Sequence, residues 1–178
     1  TQEKESFLHW LTLRLEGKNG LEHDPHKETL TRLLRIIEEE YPRPTFPDVH
    51  HSLLAIHRAQ QNSLLLHGTD RCIHETKLLA FTIEKGGTSV LVDAFLVSGK
   101  LEPMHVNAVF GYGVLLQLID DLQDLDEDGR TDHSTPFSRA AKTGSLDRIT
   151  NRLFNFTRII VGLMHNQGST QDGQLSRI

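Results

Sequence analysis

The acidic segment between positions 117 and 130 carries the residues best suited to chemistry. Asp120 and Asp124 are four residues apart, and Asp121 and Asp124 are three apart, so a helix is expected to place the three carboxylates on one face. Gln117 comes one turn earlier on the same side. Like charges at this spacing repel each other, and a bound cation would offset the repulsion. Oxygen ligands without Cys or His indicate Mg²⁺ or Ca²⁺ rather than zinc.

Two other interpretations of this segment stay open. The first is a solvated helix end, which is common for runs of acidic residues. The second is an EF-hand calcium loop, although its last position is Thr135 where a bidentate Glu is required. The first, third, fifth, sixth and ninth positions of such a loop would be Asp124, Asp126, Asp128, Gly129 and Asp132.

The elements that must position these residues are predicted to be helices throughout, because apolar residues recur at steps of three and four. We therefore predict an all-α helical bundle in a single domain, 1–178. It comprises N-terminal helices (1–46), motif-bearing helices (47–142), and a C-terminal helix with a frayed tail (143–178). The proline-rich segment 42–47 is the clearest break. Predicted helices cover about 3–16, 24–41, 48–66, 70–85, 88–98, 103–126, a short stretch after Thr135-Pro136, and 145–165.

Composition excludes several classes of function. The 178 residues carry a formal net charge of -5, which argues against nucleic acid as a partner. A single cysteine, Cys72, excludes internal disulfides and multi-cysteine zinc sites and suits a cytoplasmic location. No apolar run approaches the roughly 18 residues that a membrane span requires.

The segment Ile83–Ser89 has a second feature of chemical interest. Lys85 is followed by two glycines, and this predicts a helix interruption there. At such an interruption, free backbone N–H groups and the lysine ammonium can both face an anion.

Three segments resemble motifs of class I isoprenoid synthases, specifically the trans-prenyl diphosphate synthases. Residues 117–124, Gln-Leu-Ile-Asp-Asp-Leu-Gln-Asp, resemble the second aspartate-rich motif, FQxxDDxxD, with Leu116 in place of Phe. Residues 83–89 resemble the Lys-Thr/Gly helix break, whose lysine contacts diphosphate. Residues 59–64 resemble a degenerate GQxLDL motif, with Ser63 in place of its acidic residue. The resemblance covers about residues 55–140.

The resemblance implies a Mg²⁺-dependent prenyltransferase that ionises an allylic prenyl diphosphate for chain elongation, and it implies a homodimer. Apolar side chains, with Phe95 and Phe110 as candidates, would wall the hydrocarbon tail. The implied metal ligands and catalytic residues are Asp120, Asp121 and Asp124, with Gln117 orienting them, and the implied diphosphate-binding residues are Lys85, Gln60 and Arg130.

Class I enzymes hold three Mg²⁺ ions between two acidic motifs, and family spacing would place the first motif before Thr1. We therefore expect the chain to be the C-terminal part of a longer enzyme or a diverged relative. Two alternatives to chain elongation stay open: a non-catalytic binding or scaffold protein of the same fold, and a terpene cyclase.

Overall fold

The computed structural model describes residues 2–18, 25–64, 73–131 and 133–175, with side chains described for 2–18, 27–64, 73–131 and 133–165. These residues form α-helices and no β-strand, which confirms the predicted all-α class. The helices are Gln2–Leu15 (α1), Pro25–Glu40 (α2), Pro47–Ser63 (α3), Glu75–Ser98 (α4), Pro103–Gln123 (α5), Leu125–Thr131 (α6), Pro136–Thr143 (α7) and Asp147–Leu175 (α8).

Proline begins α2, α3, α5 and α7, because its fixed φ suits the first helical position and its missing N–H has no partner to lose there. At α7 the preceding residue, Thr135, completes a reciprocal cap. Its hydroxyl accepts from the backbone N–H of Ser138 at 3.1 Å, and the Ser138 hydroxyl accepts from the backbone N–H of Thr135 at 2.9 Å. This capping box fixes where α7 starts.

The predicted helix break at Gly86 and Gly87 is wrong, because α4 runs without interruption from Glu75 to Ser98. Both glycines are buried against α5. A Cβ atom built on Gly86 would lie 2.7 Å from the carbonyl oxygen of Gly113 and 2.5 Å from Cβ of Gln117. The glycines therefore let two helix backbones touch, and no free backbone N–H groups open towards an anion at this point.

The helix α4 packs chiefly between α5 and α3, while α8 lies on α5 and α1 lies on α3. The main core cluster joins α5, α7 and α8 and consists of the buried residues Leu115, Phe137, Leu153 and Ile160. Charged groups tie α2 to α1: Arg14 donates two hydrogen bonds to the Glu38 carboxylate, at 3.0 and 2.7 Å. Arg43 also donates to Glu38, at 2.8 Å.

Apolar periodicity predicts some of the buried positions on these helices. On α2, Leu34 is buried, but the adjacent apolar residue Leu33 is 51% exposed. On α8, Leu153 and Ile160 are buried, and they are seven residues, or two helical turns, apart. The helix α8 extends to Leu175, past position 166 where composition predicts a frayed tail. None of the helices formed by the described residues is long and apolar enough to cross a membrane.

Candidate functional site

A cavity of about 310 Å³ lies where α4 and α5 cross. The contact between Gly86 and Gly113 forms part of its wall, and side chains from both helices complete it. Its lining comprises Gly86, Ser89 and Val90 from α4, and Gly113, Leu116, Gln117, Ile119, Asp120 and Gln123 from α5. Two sequence motifs that are about 30 residues apart in the chain therefore contribute to one cavity.

Asp121 points away from solvent and is 6% exposed. The amide Nε2 of Gln117 donates to Asp121 Oδ1 at 2.7 Å, while Oδ2 is buried without a hydrogen-bond partner among the described residues. Burial raises the pKa of Asp121 to about 6, although the bond from Gln117 and the positive charge of Lys85 both lower it. Among nearby carboxylates, Asp128 raises this pKa more than Asp120 does.

Asp120 and Asp124 are exposed, in contrast to Asp121. Asp120 lines the cavity. Asp124 is the first residue after α5, and its backbone N–H still donates to the carbonyl of Asp120 at 2.9 Å, so the two lie one turn apart. Within the described part of the chain, no three His, Cys, Asp or Glu side chains are grouped in a way that could hold a metal ion. The three predicted aspartate ligands are thus divided between the cavity side and the interior.

The three predicted diphosphate-binding residues differ in exposure and lie on three different helices. Lys85 is half-buried beside Asp121, whose pKa it lowers, but it does not line the cavity. Gln60 is exposed near the end of α3, where its backbone carbonyl accepts from Ser63. Arg130 is exposed on α6 and donates to the carbonyl of Asp126 at 3.3 Å. Neither Gln60 nor Arg130 lines the cavity.

The EF-hand alternative is contradicted by the backbone. Positions 125–131, which would form the middle of the calcium loop, are wound into α6, and a helix cannot wrap its side chains around one ion as a loop does. Of the loop's predicted ligands, Asp128 is buried and Asp126 is exposed. Asp132 lies outside the described residues.

Sequence reasoning did not single out Ser89, which the cavity includes, or the influence of the buried Asp128 on the pKa of Asp121. A signal for the second exists, since Asp128 follows Asp121 by seven residues, or two helical turns. The two candidate wall residues lie elsewhere: Phe95 is buried in the core, and Phe110 packs on Gly87, where an added Cβ would collide with its ring. Neither lines the cavity.

A second cavity, of about 580 Å³, lies at the other end of the α4–α5 pair. The segment between α4 and α5 and the start of α3 form most of its lining, and none of the predicted site residues belongs to it. Of these two cavities, the smaller is therefore the one that residues of the sequence motifs line.

Comparison of the chain with models of protein families, with curated proteins and with solved structures finds no match. The resemblance to isoprenoid synthases therefore stays a prediction that rests on the motif residues in the sequence.

Proposed function

We propose that this chain binds the diphosphate of an allylic prenyl substrate at the α4–α5 cavity and takes part in Mg²⁺-dependent prenyl transfer. One observation supports the proposal most strongly. The acidic motif contributes Gln117 and Asp120 to the same cavity that receives Gly86 and Ser89 from the lysine-containing segment. The acidic motif and the lysine-containing segment, which both resemble motifs of prenyl diphosphate synthases, are thus adjacent in space.

The cavity lining suits a ligand that is polar at one end and apolar at the other. Ser89, Gln117 and Asp120 offer a hydroxyl, an amide and a carboxylate, whereas Val90, Leu116 and Ile119 are apolar. A prenyl diphosphate likewise has a polar diphosphate at one end and an apolar hydrocarbon chain at the other. The volume of about 310 Å³ lies at the lower end of the range of about 300–1,000 Å³ that is usual for small-molecule sites, which favours a short prenyl chain.

The exposed carboxylates fit Mg²⁺ in chemical type. Mg²⁺ commonly takes one or two protein carboxylates and completes its coordination with water and substrate phosphate. Asp120 on the cavity wall and Asp124 one turn later would be those carboxylates. When bound, the ion supplies positive charge that stabilises the departing diphosphate.

The chain's own residues have defined parts in this proposal. Gln117 lines the cavity and also donates to Asp121, so the buried aspartate fixes the orientation of the amide. Val90, Leu116 and Ile119 offer apolar surface to the hydrocarbon end of the substrate. Lys85, whose charge lowers the pKa of Asp121, adds positive charge near the cavity.

The test is release of pyrophosphate from an allylic prenyl diphosphate and isopentenyl diphosphate, with Mg²⁺ or with chelator. Asp120→Asn should lower the rate by about 100-fold or more, since it removes a charged metal ligand. Asp93→Asn is the matched control, because Asp93 is also an exposed aspartate on this helix pair but lies outside the cavity lining.

Release that is unaffected by Asp120→Asn, or that is equally fast without Mg²⁺, would contradict the proposal. Binding of the substrate without release would instead support the non-catalytic alternative on the same fold.

A further inference from the structure

Two buried histidines of α3 bind segments that precede this helix in the chain. His57 is 8% exposed, and its Nε2 lies 2.9 Å from the hydroxyl oxygen of Thr12 on α1. His50 is 6% exposed, and its Nε2 lies 2.7 Å from the backbone carbonyl oxygen of Tyr41, the residue that follows α2. The two histidines are seven residues, or two helical turns, apart, so they lie on one side of α3.

The hydrogen bonds place the proton on Nε2 in both rings. The hydroxyl of Thr12 donates to the carbonyl of Leu8 at 2.9 Å, so its oxygen accepts from Nε2–H of His57. The carbonyl of Tyr41 can only accept, so Nε2 of His50 also carries a hydrogen. Neutral imidazole has one N–H, and both bonds are therefore complete without a charge on either histidine.

The surroundings of His57 disfavour its charged form. Burial lowers the pKa of His57 below the ordinary value of 6.5, and the carbonyl of Leu8 opposes this by accepting a hydrogen bond. Arg58, the next residue of α3, lowers the pKa further. None of the described charged groups on α1 or α4 acts on this ring, so a protonated His57 has no carboxylate to stabilise it.

The surroundings of His50 act in the same direction. Burial lowers its pKa, and its hydrogen bond to a backbone carbonyl opposes this. Arg43 and His51 lower the pKa further, while Glu38 raises it. The Glu38 carboxylate already accepts hydrogen bonds from Arg14 and Arg43, so much of its charge is offset.

The helices α1 and α2 depend on packing for their structure. They have 14 and 16 residues, lengths at which a helix alone is only marginally stable in water. The helix α1 packs on α3. The indole N–H of Trp10 on α1 is buried without a hydrogen-bond partner among the described residues, which costs free energy. A modest loss of contact with α3 can therefore shift the balance towards local opening.

We propose that α1 and α2 form a layer that is held on α3 while His50 and His57 are neutral and is released when they are protonated. This acid-sensitive contact involves no residue of the α4–α5 cavity, and it does not depend on the proposed function. In the bound layer a charged imidazolium would be buried beside Arg58 or Arg43, whereas water would surround it after release. The contact is complete above pH 6.5 and is lost as the pH falls below that value.

The test uses Trp10, the only tryptophan of the chain, which is 7% exposed on α1. Its fluorescence is followed while the pH of the whole chain is lowered from about 7.5 to about 5. The emission should shift to longer wavelength with a midpoint below pH 6.5, because the released helices unwind and the indole enters water. Far-UV circular dichroism should lose no more helix than α1 and α2 contain.

The double variant His50→Gln/His57→Gln should remove the shift, because a glutamine amide can donate as Nε2 does but stays neutral in this range of pH. The double variant His9→Gln/His51→Gln is the matched control and should keep the shift. Both of its histidines are exposed, His9 on α1 and His51 on α3.

Hydrogen exchange of the wild type gives a second result that does not depend on the folding of any variant. After correction for the intrinsic effect of pH, amides of α1 and α2 should exchange at least about tenfold faster at the acid limit, while those of α4 and α5 keep their protection. Three results would overturn the inference: an unchanged emission spectrum, a shift that persists in His50→Gln/His57→Gln, or an equal loss of protection in all four helices.

Discussion

Asp120 and Asp121 are neighbours in the chain but have opposite environments. Asp120 is exposed on the cavity wall, whereas Asp121 is buried, accepts a hydrogen bond from Gln117 and lies close to Lys85 and Asp128. A helix turns by about 100° per residue, so adjacent side chains necessarily point in different directions. The two side chains therefore lie in different places, Asp120 on the cavity wall and Asp121 in the interior.

Burial of Asp121 predicts a specific dependence of stability on pH in metal-free buffer. Its pKa is raised from the ordinary value of 3.8 to about 6, so the folded state binds the proton more tightly than the unfolded state. The contribution to the free energy of unfolding is greatest below pH 4 and is lost as the pH rises through 6. Between these limits, the wild type should lose about 3 kcal/mol that Asp121→Asn does not lose.

Urea denaturation at pH 4 and pH 7, with chelator present, measures this difference. Asp120→Asn removes an exposed carboxylate, and its free energy of unfolding should change between the two pH values as that of the wild type does. Parallel pH profiles for the wild type and Asp121→Asn would show that Asp121 does not carry the effect.

At the scale of helices, the contact between α4 and α5 depends on the absence of side chains at Gly86 and Gly113. A Cβ on Gly113 would collide with the carbonyl oxygen of Gly86 and would lie 3.1 Å from Cβ of Val90. Backbone atoms cannot swing aside as the end of a long side chain can. The close approach also brings Ser89 and Gln117 to the same cavity.

Gly113→Ala should therefore lower the free energy of unfolding by about 1–3 kcal/mol, the usual cost of overpacking. Gly162→Ala is the control, because Gly162 is helical and has no atom within 4 Å of an added Cβ. It should raise stability by up to about 1 kcal/mol, since alanine favours helix over glycine. Urea denaturation measures both, and an equal effect of the two substitutions would contradict the assigned role of the glycine contact.

Much of the helical arrangement is predictable from local signals, and its exceptions have physical causes. Prolines at positions 47, 103 and 136 mark helix starts that the structure contains. The two glycines in α4 also predict a break, because glycine disfavours a helix locally, yet α4 is continuous. Packing against α5 outweighs the helix penalty of glycine, and that packing involves residues about 30 positions away, which no local pattern displays.

At the scale of the whole molecule, the sequence indicates part of the candidate site, and it does not show how the site residues are grouped. The sequence indicates Gln117, Asp120 and Lys85, and the structure places all three at or beside the α4–α5 contact. It does not indicate which aspartates face solvent, because that depends on how α6 and α7 cover one side of α5. Asp128 is an acidic loop position by pattern and a buried neighbour of Asp121 in the folded chain.

The central claim is that the α4–α5 cavity binds an allylic diphosphate together with Mg²⁺. Calorimetric titration of the whole chain with an unreactive allylic diphosphate analogue tests this most directly, because binding can be measured whether or not the chain turns over. We predict one molecule bound per chain in the presence of Mg²⁺, and an affinity lowered at least about tenfold by Asp120→Asn but unchanged by Asp93→Asn. The absence of binding, or binding that is indifferent to both Mg²⁺ and Asp120, would contradict the claim.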